Sequence, residues 1–170
     1  MAGFVKVFGL YAGPRGGLHS RPNETGRFEM PNPILLPVVA LVLWSLVMEV
    51  WLYATRIPAI RAAQMPMDPA LTAADLNARI PPQVRWKADN YNHLMEQPTI
   101  FYAACLALAV AGLGEGLNAW LAWGYVGLRV VHSLVQATVN IIVVRFSIFM
   151  LASIVLAALA IHGAMGLFQA

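Results

Sequence analysis

The sequence predicts an all-α integral membrane protein, a four-transmembrane-helix antiparallel bundle. Three observations carry this. The chain is 59% hydrophobic and only 11% charged, where soluble domains hold roughly 45–50% apolar and roughly 25% charged residues. So few charges cannot coat a globule of 170 residues, so lipid must replace water around much of it. Four apolar runs follow one another, and the second and third connections are too short for anything but antiparallel neighbours.

The elements follow in order. Residues 1–29 contain GPRGGLHSRPNETGRFE, rich in Gly, Pro and charge and without a sustained period. That composition predicts a disordered extension. No long apolar core precedes a small-residue cleavage site, so it does not fit a secretory signal. Met30 stands directly before the first apolar run and is an alternative start. Residues 30–170 are then the membrane domain.

The first run, Ile34 to Ala54, is long enough for a hydrocarbon core of ~30 Å. Trp51 and Tyr53 lie at its end, where aromatic rings favour the interface, and Pro37 falls in its first turns, where it costs least. The polar segment Thr55–Asp89 holds Arg56, Arg61, Arg79, Arg85 and Lys87. Within it, Leu71–Arg79 predicts a short surface helix capped by Thr72. The second run, Pro98–Leu113, is short for a span, so its helix is expected to begin near Asp89 with a polar first half. Gly112, Gly114 and Gly116 mark a tight turn around Glu115. The third run starts near Leu117 and passes Gln136, the fourth covers about Phe146–Leu167, and a turn falls within Thr138–Val144.

Several function classes lack support. The net charge of +3 is scattered among apolar runs, with no dense basic tract for nucleic acid. The single cysteine, Cys105, forms no intrachain disulfide and no multi-Cys metal site. His93 and Glu96 are spaced i, i+3, but a second carboxylate–His set is missing, so no metal site is expected. No broken-helix pair suggests a transporter. Orientation depends on the start: from Met30, the basic first connection lies in the cytoplasm. If the extension is real, Lys6, Arg15, Arg21 and Arg27 oppose that.

Polar groups inside membrane helices are costly and usually face the interior or a wet cavity. Here they form stripes. Asp89, Asn92, His93 and Glu96 share one face of the second helix at i, i+3, i+4, i+7. Arg129, His132, Gln136 and Asn140 share one face of the third. Arg56 ends the first helix and Arg145 begins the fourth. In an antiparallel bundle these ends meet in one leaflet, as a net-basic cavity suited to a small anionic ligand beside a lipid-soluble one. Bland readings stand beside the functional ones. Arg129 and Glu96 are expected to form a structural ion pair. His132 is more often an interhelical hydrogen bonder than a catalyst, and His93 is expected only to face the interface. Asn140 suits a cap of the third turn. Arg56 suits a positive-inside anchor, and Glu49 has no obvious partner. Arg145, set between apolar runs, is the strongest functional candidate.

The segment Asn92-His93-Leu94-Met95-Glu96-Gln97-Pro98-Thr99-Ile100-Phe101 resembles the second-helix motif of the MAPEG family, the membrane-associated proteins in eicosanoid and glutathione metabolism. Tyr125-Val126-Gly127-Leu128-Arg129-Val130-Val131-His132-Ser133 resembles its third-helix motif, and Arg145 stands where the family begins its fourth helix with an arginine. The resemblance covers about residues 34–168. It implies a homotrimer in the membrane, of bacterial type and so in the inner membrane. It also implies glutathione as co-substrate, bound between subunits near the cytoplasmic face. Arg145 would stabilise the thiolate, with Arg56, Asn92, Glu96, His132 and Gln136 at cofactor-binding positions. The implied activity is a transferase or peroxidase acting on lipophilic electrophiles or hydroperoxides. There are departures. With Pro98 aligned, the family's acidic position falls on Met95, and Glu96 comes one residue later, ~100° around the helix. Gln136 stands where the family has a tyrosine, and Phe149 where a hydroxyl is expected. These favour an alternative, a non-enzymatic scaffold or lipid-binding protein of the same fold.

Overall fold

The computed structural model describes residues 32–64 and 68–169. The expected extension at 1–29 lies outside them. The described residues form six helices: α1 (Leu35–Ala62), α2 (Ala73–Arg79), α3 (Pro82–Glu96), α4 (Pro98–Val110), α5 (Leu117–Thr138) and α6 (Ile142–Gln169).

α1 outruns its apolar segment by two turns, and Pro58 is accommodated inside it. Thr55 Oγ1 donates to the carbonyls of Trp51 (2.9 Å) and Leu52 (3.1 Å) there. Leu41, Ser45, Met48 and Leu52 form its buried stripe, while Leu36, Leu43, Leu46 and Val50 on other faces stay exposed. A helix apolar all round belongs in a core or in lipid, and this one is mostly uncovered. α6 is similar, burying only Ala152, Leu156, Leu159 and Gly163. Among the described residues, α1 and α6 alone are long and apolar enough to cross a membrane on those grounds. Four such runs were expected. The apolar part of the second is only the 13 residues of α4, and α5 carries a buried polar stripe that lowers its mean hydropathy.

The expected surface helix is α2. The Thr72 side chain accepts from the Asp75 N–H (3.2 Å), and Asp75 Oδ2 accepts from the Thr72 N–H (3.0 Å), a reciprocal capping box. The Thr72 hydroxyl also donates to Asp75 Oδ2 at 2.6 Å, and that bond first, with the one from the Thr72 N–H second, holds the Asp75 carboxyl below its ordinary value. The next helix begins earlier than expected, at Pro82 rather than near Asp89. Proline at N1 loses no helical hydrogen bond and starts α3 there. Pro98 then interrupts the chain of bonds, so α3 ends at Glu96 and α4 begins at Pro98, joined by Gln97 in a helical conformation.

The glycine turn forms as expected. Gly112 adopts φ 72°, the Leu113 N–H donates to the Leu108 carbonyl (2.8 Å) and the Gly112 N–H to that of Ala109 (3.2 Å). This is a Schellman end, which needs a left-handed residue. α1 packs against α3, α4 and α5, while α6 lies along α5 and touches α4. The core between them holds Leu41, Met48, Leu94, Cys105 and Leu159, with Phe101 stacked on Tyr125 at 4.6 Å between centroids.

Candidate functional site

Helical spacing puts Asp89, Asn92, His93 and Glu96 on one side of α3, and α5 presents His132 and Gln136 to it. α6 begins three residues before Arg145, so the arginine stands at that same end. Two adjoining cavities result. The more polar one, about 260 Å³, is lined by Asp89, Asn92, His93, Glu96, Gln136 and Arg145. The more apolar one, about 230 Å³, is lined by His93, Glu96, His132, Ile142, Arg145, Phe146 and Phe149. His93, Glu96 and Arg145 belong to both.

Hydrogen bonds fix this wall. His93 Nδ1 lies 3.0 Å from Gln136 Oε1, tying α3 to α5. The His93 and His132 rings are 6.2 Å apart, and His132 is another 6.2 Å from the Phe149 ring. Arg145 Nη1 donates to Asn140 Oδ1 at 2.7 Å. Arg145 is half-buried, so its charge meets the cavities in a setting drier than bulk water.

Arg129 does not pair with Glu96 as expected. Its Nη2 donates to the His93 carbonyl at 2.5 Å, and Nε and Nη1 have no hydrogen-bond partner. The two side chains are in different settings: Glu96 lines the cavities and is exposed, while Arg129 is 1% exposed. The His93 carbonyl lies in the last turn of α3, facing α5. The Phe149 ring, 5.8 Å from Arg129 Cζ, adds cation–π attraction. Arg129 therefore stands just behind the cavity wall.

The structure thus brings together Arg145, Asn92, Glu96, His132 and Gln136. It does not bring Arg56. That guanidinium turns to α2, where Nη2 donates to Asn77 Oδ1 at 3.4 Å, while Arg85 Nη1 donates to the Asn77 carbonyl at 3.2 Å. His93 does more than face the interface, since it lines both cavities and bonds Gln136. Its place in the Asp89–Glu96 stripe was the available signal. Ile142, Phe146 and Phe149 carried none, because apolar wall residues look like any other part of an apolar helix.

The model of the MAPEG family matches residues 34–165. No curated protein and no solved structure matches the chain.

Proposed function

The chain belongs to the MAPEG family, and from that premise we propose that it is a membrane-bound, glutathione-dependent transferase or peroxidase. The observation that carries this reading is the position of Arg145, shared by a polar and an apolar cavity. A thiol in the first and a lipophilic electrophile in the second would meet at one guanidinium.

The chemistry follows. A nearby cation favours the thiolate over the thiol and raises the nucleophilic fraction. Arg145 supplies that cation beside the sulfur. Asn92, Gln136 and His132 offer hydrogen bonds to the peptide, and Glu96 offers a carboxylate to its ammonium. In the transferase reaction the sulfur pair forms the S–C bond, and the leaving group departs with the electrons of the bond that breaks. In the peroxidase reaction the thiolate takes one oxygen of the hydroperoxide, releasing an alcohol. A second glutathione then converts the oxidised sulfur to the disulfide and releases water. Ile142, Phe146 and Phe149 keep bulk water from the reacting end.

The same reading covers the assembly. Four crossings, made by α1, α3 with α4, α5 and α6, form an antiparallel bundle, and three copies make a homotrimer. Arg56, turned away from its own chain's cavities, then reaches the thiol site of a neighbour. The basic first connection lies on the cytoplasmic side of a bacterial inner membrane.

A non-enzymatic role has one observation in its favour: the Phe149 ring, with no hydroxyl, forms the wall beside His132. Titrating glutathione into the detergent-purified protein by calorimetry decides between the two. Saturable binding that weakens in Arg145→Leu supports the enzyme. A folded protein that takes up no glutathione at millimolar concentration rejects it.

A further inference from the structure

The turn between α5 and α6 is short, and one residue in it serves two purposes. Asn140 adopts φ 50°, in the left-handed region. Its N–H donates to the Val135 carbonyl at 2.7 Å, closing the end of α5. Asn tolerates this conformation, but Gly does so at less cost, so the turn alone does not require a side chain. That side chain accepts the Arg145 Nη1 hydrogen bond at 2.7 Å.

We propose that Asn140 is a positioning residue: its side-chain carbonyl holds the Arg145 guanidinium across the shared wall of the two cavities, without cancelling its charge. The inference rests on the thiol chemistry proposed above. The neutral amide matters because the alternatives nearby are charged. Asp89 and Glu96 on α3 line the same cavities, with His93, and His132 and Gln136 face them from α5. A guanidinium free to swing would pair with one of those carboxylates and lose its pull on an anionic sulfur. Arg145 also lies in the opening turns of α6, where the helix dipole already favours an anion. A guanidinium fixed at that spot adds to the field, whereas one drawn to α3 does not.

Two variants test this in the full-length protein. Asn140→Gly keeps the left-handed turn and removes the amide. Asn140→Asp also suits the turn and keeps an acceptor, but it neutralises the cation. The readouts are turnover with glutathione across pH and labelling of Arg145 by phenylglyoxal, followed by mass spectrometry. The ionisable Asp89, Glu96, His93 and His132 beside the cavities are common to every variant, so only the difference between profiles counts.

The expected result for Asn140→Gly is about tenfold lower turnover near neutral pH, as for a bound thiol whose pKa rises by about one unit. The deficit shrinks as pH rises and the thiolate forms unaided, and Arg145 is labelled several-fold faster. Asn140→Asp gives the same pH-dependent deficit with labelling no faster than wild type. An active wild type with unchanged profile and labelling in Asn140→Gly overturns the role of Asn140 alone. If that variant does not fold, a wild-type profile in Asn140→Asp does the same. A wild type with no thiol-dependent turnover overturns the underlying function, and the positioning role falls with it.

Discussion

The two ends of the α5–α6 pair treat their polar groups in opposite ways. At the end holding the glycine turn, they bond to one another or to backbone. Asn118 Nδ2 donates to the Leu113 carbonyl at 2.7 Å, and Asn118 Oδ1 lies 2.8 Å from His162 Nδ1. Asn32 Nδ2 donates to the Ala109 carbonyl at 3.3 Å. At the other end, Arg145 makes one side-chain bond and otherwise meets cavities, and Gln136, whose Nε2 has no partner, lines the polar one. A polar group satisfied inside a membrane protein holds helices together. One left open toward a cavity has hydrogen-bonding capacity to offer a ligand. On the proposed function, this difference separates a structural end from the thiol site.

The comparison breaks most clearly at Arg145. Replacing Arg145 by Leu should lower thiol-dependent turnover by about a hundredfold or more, the scale of losing one charge-stabilising group. Thermal stability and oligomer size should stay close to wild type. Loss of the oligomer together with activity would instead place Arg145 among the structural residues.

The opposite pattern is expected at Gly163, where α6 meets α4. Even a Cβ at that position would stand 2.7 Å from Leu108 Cδ2. Gly163→Val should therefore cost about 1–3 kcal/mol of stability, the range for overpacking. Turnover per folded molecule should be unchanged, as denaturation and activity of the same preparation would show.

A smaller loss belongs to His162→Ala, which leaves Asn118 Oδ1 without its partner. Interhelical hydrogen bonds in membranes are worth about 1 kcal/mol, so the midpoint should fall slightly with kinetics untouched. A change in kinetic pH dependence would show that the two ends are coupled.

The smallest effect lies outside the membrane, at the Thr72–Asp75 capping box. The Asp75 carboxyl is held below its ordinary value. Its stabilisation of α2 is therefore fully present above the unfolded carboxyl's pKa. It is lost as pH falls through the lower, folded value. Amide exchange in α2, corrected for intrinsic rate, should speed up through that acidic window in wild type. In Thr72→Ala it should be fast on both sides.

Much of this was legible in the sequence, for identifiable reasons. The stripes on α3 and α5 follow from helical period alone, and they put Asn92, Glu96, His132 and Gln136 in one cleft with Arg145. The Thr72 cap and the glycine turn are local chemistry, readable over a few residues. Tertiary choices were not legible. Arg56 has the reach to go either way, and only the placement of α2 brings Asn77 within its range. The Arg129–Glu96 pair looked sound by charge, but Glu96 lines the cavities while the buried Arg129 bonds the His93 carbonyl, and charge alone does not distinguish the two partners. The early start of α3 was missed because Pro82 reads equally as a loop residue and as a first helical residue.

The most direct test of the account is the ionisation of bound glutathione, followed by thiolate absorbance across pH in wild type and in Arg145→Leu. The account predicts a thiol largely ionised near neutral pH in wild type. In the variant, the peptide should still bind but its thiol should ionise only under alkaline conditions. Identical titration curves in two folded, glutathione-bound proteins would contradict it.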